Sequence, residues 1–237
     1  MRTRFILGCL LALLAACARH PAPAVYQYAA FDDFAAGQYA GSIPLSALKT
    51  HGDFGLGTFS GLDGEMIVLD GTIYRAQADC TLTRPDPATL SPFAELVFFK
   101  PEASSSISMP GDSAALGKWL NARLPEGSFA AVRVKATIKH LKIRSVAGFT
   151  PPYPALGDAL KSMNIRDLTD ATGTIVGLRG PAQPTGVWVP GWHFHFVSAD
   201  GKTGGHVLNA EGIEGDAAWM SSTRYELELP PPAPGRP

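Results

Sequence analysis

Cysteine is almost missing from this sequence: its 237 residues carry Cys9, Cys17 and Cys80 and no others. That excludes a disulfide framework and any Cys-x-x-Cys metal or redox motif. Charge is sparse too, at 17% Asp, Glu, Lys and Arg with a formal balance of −1. Nothing electrostatic therefore argues for nucleic acid or an anionic lipid surface as a partner. No repeat of solenoid period is present, and neither the phosphate-loop ending nor the dinucleotide-binding glycine spacing occurs. Helix-only architectures are disfavoured by the 25 Gly and 20 Pro, which fit a turn-rich chain dominated by sheets.

The one continuous apolar run lies at the start. Arg2 and Arg4 precede Phe5 to Leu14, which is too short to span a bilayer and reads as the core of a signal peptide. It ends in Leu14-Ala-Ala-Cys17, which resembles the bacterial lipobox, in which the cysteine is lipidated and becomes the mature N-terminus. Residues 1–17 are thus expected to be a lipoprotein signal. Residues 18–27 should be a tether, with export to the periplasmic face of the outer membrane and a lipid anchor at Cys17. Cys80, left alone, reads as a buried small hydrophobe.

Along the rest of the chain the signals are mostly those of strands. Ala35 to Leu45 should hold a short strand and Ser46-Ala-Leu-Lys49 a helical turn. Glu65 opens a hairpin that turns at Asp70-Gly71 and would sit opposite Ala76. Ser91 to Phe99 reads as a strand. Asp112 caps a helix through Leu124, whose Leu116, Trp119, Leu120 and Leu124 form a core stripe. Residues 129–146 alternate as one long strand whose apolar set flips near His140, which predicts a bulge or bend and leaves Arg144 opposite Leu141 and Ile143. A short helix over Leu156 to Met163, a strand over Thr172 to Leu178 and a last strand over Thr223 to Leu229 complete the reading. Residues 230–237 should be a disordered tail.

One stretch concentrates chemistry. Three of the six histidines, His193, His195 and His206, fall in Gly191 to His206. On a strand, Trp192, Phe194 and Phe196 share one face and His193 and His195 the other. Asp200-Gly201 predicts a two-residue type I′ turn, which sets His195 opposite His206. Three imidazoles then converge with a fourth position open, the pattern of a catalytic zinc or a similar ion. A lone His on a strand is usually structural; two on one face plus a third placed by an independent turn favour a metal site.

Several segments together resemble the α-acetolactate decarboxylase family. They are Gly52-Asp-Phe-Gly-Leu-Gly-Thr-Phe59, Leu62-Asp-Gly-Glu65, Ile143-Arg-Ser-Val146, Gly173-Thr-Ile-Val-Gly177 and Pro190-Gly-Trp-His-Phe-His-Phe196 with Gly204-Gly-His-Val207. The resemblance runs in order from about residue 26 to 229. It implies an α+β fold dominated by mixed and antiparallel sheets, in two sub-domains over residues 28–229, commonly dimeric, with the metal site on a β-hairpin. It also implies a zinc-dependent carboxy-lyase that converts 2-acetolactate, a small 2-hydroxy-3-keto acid, to acetoin and CO2 through a stabilised enediolate.

By the same resemblance, His193, His195 and His206 match the zinc ligands, Glu65 a catalytic acid, Arg144 a substrate-facing arginine and Thr58 a pocket residue. Losing CO2 from a β-keto acid leaves electrons on the adjacent carbonyl, and a Lewis acid and a permanently charged arginine both answer that need. Glu65, Arg144 or a bound water could return the proton, and the three histidines suit zinc, copper, iron or nickel alike. The chain departs from the family in two places. Leu229-Pro-Pro-Pro-Ala-Pro-Gly-Arg-Pro237 does not supply the family's second glutamate, and Val146-Ala147 with Phe149 replaces its usual Val-Pro and Gln. A second reading, a non-catalytic or altered-substrate metal-binding lipoprotein, follows from those departures.

Overall fold

The computed structural model describes residues 23–183 and 185–231. In chain order its strands are β1 (Val25–Tyr28), β2 (Ile43–Pro44), β3 (Phe54–Thr58), β4 (Glu65–Leu69), β5 (Thr72–Ala76), β6 (Leu82–Thr83), β7 (Leu90–Ser91), β8 (Ala94–Val97), β9 (Ala103–Met109), β10 (Phe129–Ser145), β11 (Asn164–Gly180), β12 (Gly191–Ser198), β13 (Gly204–Ser222) and β14 (Tyr225–Glu228). Among the described residues four short α-helices join them: α1 (Phe31–Ala35), α2 (Leu45–Leu48), α3 (Ser113–Asn121) and α4 (Leu156–Ala159). None of the described helices is long and apolar enough to cross a membrane.

Two sheets carry the architecture. A mixed sheet of seven strands runs β14-β1-β8-β3-β4-β5-β6, with β14 parallel to β1 and the other pairs antiparallel. An antiparallel sheet runs β10-β11-β12-β13-β9 and closes on itself, because β10 also pairs with β13. The sheets pack face to face through Phe54, Leu56, Ile67 and Val97 on one side and Ala131, Val176, Leu178 and Met220 on the other. The outer face of the larger sheet is covered by Phe34, Leu45, Leu48 and Ala159 of α1, α2 and α4. Leu116 and Leu120 of α3 cover the smaller sheet around Phe194, Phe196 and Ile213. Asp112 caps α3, accepting from the Ala115 N–H at 3.0 Å. This sheet-dominated α+β fold agrees with the reading from sequence.

The Asp70-Gly71 hairpin forms as anticipated. Both central residues are left-handed, at φ 49° and 73°, and Glu65 sits opposite Ala76. The histidine hairpin has the expected register, His195 opposite His206, but not the expected turn. Among its central residues Gly201 is left-handed at φ 68° and Asp200 is not. The Ser198 N–H reaches the Thr203 carbonyl at 2.8 Å and the Gly201 N–H the Ser198 carbonyl at 2.9 Å. A four-residue loop thus replaces the type I′ pair. Both loops are centred on the same bond, so the strand register is unchanged.

Other boundaries move. The last part of the tether expected over 18–27 is structured instead, because Val25–Tyr28 is a buried strand held between β14 and β8. The strand expected within Ala35 to Leu45 shrinks to Ile43–Pro44, and α1 ends at Ala35. The strand expected over Ser91 to Phe99 is broken into β7 and β8. The strand expected over Thr172 to Leu178 extends to Asn164–Gly180, its first half mostly exposed and so without alternating apolar residues. The signal expected over 1–17 with its Cys17, residues 18–22 of the expected tether and residues 232–237 of the expected tail lie outside the described residues.

The long strand β10 flips its buried side between Ile138 and Leu141. Lys139 there has no ladder partner, and the flanking Asp170 and Gly212 are left-handed at φ 49° and 66°. A second irregularity lies between Lys142 and Ile143, where the ladder with β13 slips by one residue. Before the slip Lys142 faces Asn209; after it Arg144 faces His206. Without the slip Arg144 would face Val207 and His206 would point to the other side. Gly205 allows the strands to meet there, since a Cβ on it would lie 2.6 Å from the Arg144 carbonyl oxygen. Gly205→Ala is therefore expected to cost about 1–3 kcal/mol in denaturant unfolding. Gly157→Ala, whose Cβ meets open space, should leave stability unchanged or slightly raised.

Candidate metal centre

The slip makes one row across three strands: His195 on β12, His206 on β13 and Arg144 on β10. Paired residues on adjacent strands project to the same face, so two imidazoles and the guanidinium meet. His193, two residues before His195, joins them on that face. Trp192 and Phe194 stack on the reverse face, ring centroids 5.3 Å apart, and lock the strand's orientation against α3.

The ring nitrogens converge closely. His193 Nε2 lies 3.0 Å from His206 Nδ1 and 3.2 Å from His195 Nε2, and one ligand atom from each histidine falls within 4.8 Å of the others. An ion about 2.0–2.1 Å from two nitrogens at a tetrahedral angle sets them about 3.3–3.4 Å apart. The donor set fits a divalent transition metal, which these residues could hold with one position open. His195 Nδ1 lies 2.9 Å from the Met66 carbonyl oxygen. A carbonyl only accepts, so this contact puts the proton on Nδ1 and leaves Nε2 bare for an ion.

The larger sheet supplies the facing groups. Glu65 and Thr58 pair across β4 and β3, and both are buried. Arg144 Nη1 donates to Glu65 Oε1, while Glu65 Oε2 lies 3.5 Å from His195 Nε2. The Thr58 hydroxyl donates to the Gly64 carbonyl at 2.7 Å, so only its lone pairs remain for another molecule. A cavity of about 310 Å³ is lined by Thr58, Glu65, Arg144, His193 and His206 on one side. Phe31, Phe34, Phe93, Leu156 and Val189 form its apolar wall.

Electrostatics follow from burial. Desolvation pushes the Glu65 carboxyl up from its ordinary value, against the opposing pull of Arg144. The histidines are held neutral: burial, with Arg144 nearby, lowers His193 to about 3. Burial drives His195 and His206 well below their ordinary value as well. Neutral imidazoles in this arrangement are metal ligands in waiting rather than proton carriers.

Every site residue named from sequence lands here except Cys17, which lies outside the described residues. Glu226 and Glu228 are held at the sheet edge: Glu228 accepts from the Tyr26 hydroxyl at 2.8 Å, and Arg224 lies 3.6 Å from Glu226. Phe149 is tied down by its N–H to the Gly61 carbonyl, at 2.7 Å. Cys80 is buried as expected, its thiol pushed up to about 11 by desolvation. Sequence reasoning missed Glu95, a buried acid in the middle of the larger sheet, 3.9 Å from His193 Nδ1. Its signal was available, since an acid within the apolar run Phe93 to Phe99 is unusual in a central strand. It also missed the phenylalanines of the cavity wall, which look like ordinary core residues.

Comparison with known proteins agrees with this geometry. The family model for alpha-acetolactate decarboxylase matches residues 25–234. The α-acetolactate decarboxylase of Methanosarcina mazei is 38% identical over 207 residues, covering 87% of this chain and 72% of that protein. That of Bacillus licheniformis is 37% identical, covering 87% and 82%. The crystal structure of α-acetolactate decarboxylase from Bacillus subtilis superposes with a TM-score of 0.84 at 33% identity, over 88% of this chain and 90% of that one. On the strength of a match over nearly the whole folded part, this chain belongs to the α-acetolactate decarboxylase family of carboxy-lyases.

Proposed function

We propose that this protein decarboxylates 2-acetolactate, 2-hydroxy-2-methyl-3-oxobutanoate, to acetoin and CO2, with zinc as the metal. The observation that carries this reading is the convergence of three neutral imidazoles beside a guanidinium and a buried carboxyl, with His193, His206, Arg144 and Glu65 lining one cavity. When bound by His193, His195 and His206, a divalent metal supplies Lewis-acid stabilisation of the negative charge that develops on the substrate. The remaining work belongs to the chain.

Arg144 is permanently cationic and faces the cavity, so it pairs with the substrate carboxylate. As the C1–C2 bond breaks, its electron pair moves onto C2 and the C3 ketone oxygen, giving an enediolate, and CO2 departs. Arg144 then stays beside the developing oxyanion. Thr58, its hydroxyl proton spent on Gly64, accepts from the substrate C2 hydroxyl and fixes which face of C2 is presented. Glu65, held by Arg144 and with its carboxyl raised by burial, takes up the proton that the net reaction consumes and passes it to C2. The apolar wall of Phe31, Phe34 and Phe93 takes the methyl groups and excludes water.

We also propose that the protein is exported and lipid-anchored through Cys17, on the periplasmic face of the outer membrane. Cys17→Ser should abolish radiolabelled palmitate incorporation and release the protein from the membrane fraction. Labelling that survives the substitution would sink this assignment.

For the reaction, one equivalent of metal per chain by elemental analysis and acetoin from racemic acetolactate are expected, both lost in His195→Ala. Glu65→Gln should retain metal while lowering kcat by about 10²–10⁴-fold, the usual worth of a positioned acid. A metal-loaded parent that makes no acetoin would overturn the proposal. A pH effect follows from the depressed imidazoles. Ligands that stay neutral in acid compete little with protons, so at fixed metal excess half-release should fall well below about pH 6.5, the ordinary histidine value. Release at or above that value in a chelator-monitored titration would contradict the burial argument.

A further inference from the structure

We propose that Glu95 is a positioning residue for the metal centre: its carboxylate accepts the Nδ1 proton of His193 and so aims Nε2 at the ion. This rests on the reading of the histidine triad as a metal site.

His193 Nε2 is the atom that meets the other two imidazoles, at 3.0 and 3.2 Å. A neutral ring with a bare Nε2 must carry its proton on Nδ1. That Nδ1 is buried with no hydrogen-bond partner among the described residues. Leaving a buried donor unmet costs about 1–3 kcal/mol, and native structures seldom tolerate it. His195 meets the same need through the Met66 carbonyl at 2.9 Å. His193 has Glu95 Oε2, 3.9 Å away.

The placement of Glu95 is rigid. Its backbone pairs with Gln27 of β1 on one side and Leu56 of β3 on the other. The residue is 4% exposed. A gap of 3.9 Å is about 1 Å beyond an N–H···O bond. Rotation about the last glutamate torsion, which is broad and soft, can shorten it. Glu95 does not line the cavity, whereas His193 does, so it acts on the ion through the imidazole and not on substrate. A buried central acid facing an unmet imidazole donor is better explained by a positioning role than by packing.

The test compares the parent with Glu95→Gln, which keeps a carbonyl acceptor, and Glu95→Leu, which fills similar space without one. Nitrogen-15 NMR of the zinc-loaded parent should show His193 ligating through Nε2 with its proton on Nδ1. Competition with a chromophoric chelator should show zinc bound about 10–100-fold more weakly by Glu95→Leu, the usual effect of removing a ligand's outer partner. Glu95→Gln should stay within about threefold of the parent, and the metal-free melting temperature of Glu95→Leu should not fall. A parent His193 with its proton on Nε2 would overturn the proposal without any variant. So would equal weakening in Gln and Leu, or a Leu variant with parental zinc affinity. A parent that binds no zinc would instead refute the metal reading, and the positioning role with it.

Discussion

The contact between Arg144 and Glu65 is what makes two sheets into one site. Arg144 stands on β10 of the smaller sheet and Glu65 on β4 of the larger, and they meet with side chains only 12% and 8% exposed. A buried ion pair gains little net stability, because desolvation of both charges offsets their attraction. Removing one partner alone is costly, because it strands the other charge. Such a pair fixes geometry more than it stabilises the fold. Here it ties the row of His195, His206 and Arg144 to the strand that carries Glu65.

That row depends on backbone register rather than on side-chain packing. One extra residue in β13 turns His206 toward Arg144, and Gly205 supplies the clearance for it. The kink at Lys139, flanked by left-handed Asp170 and Gly212, lies further along the same ladder and bends the long strands before they reach the site. A sheet that closes on itself as this one does must bend somewhere, and irregular residues are where it does so. The site thus occupies the stretch where the ladder is least regular, and the glycines there serve close strand approach.

Much of this was legible in the residues. The imidazole convergence followed from the two-residue period of a strand and from a turn centred on Asp200-Gly201. The exact loop was misread, but any even loop centred on that bond gives the same pairing, so the error did not propagate. The flip in β10 was visible because buried and exposed residues alternate there. The exposed half of β11 and the serine-rich β9 gave no such signal, because strands with both faces wet need not alternate. Nor could periodicity show that β13 would pair with both β12 and β10. The meeting of Arg144 and Glu65, 79 residues apart, came from family resemblance alone. Glu95 went unread because its significance lies in what faces it across the sheet interface.

The charge balance of the centre ties these parts together. Three neutral ligands leave a divalent ion's charge uncancelled, and Arg144 adds a further positive charge beside it. Within the cavity Glu65 is the acid that opposes them, and Arg144 already engages it. The cavity therefore favours an anion, and favours still more a reaction in which charge moves from a carboxylate onto a neighbouring oxygen within the same field. Glu95 sits behind His193, outside the cavity wall, where burial raises its carboxyl to about 8. An ion bound on the far side of the ring would draw the charged form back. A carboxylate placed there strengthens the imidazole as a ligand without reducing the positive field that the substrate meets. With an ion held by the three histidines, an acid behind a ligand rather than in the cavity would keep the metal site strong and the substrate side cationic.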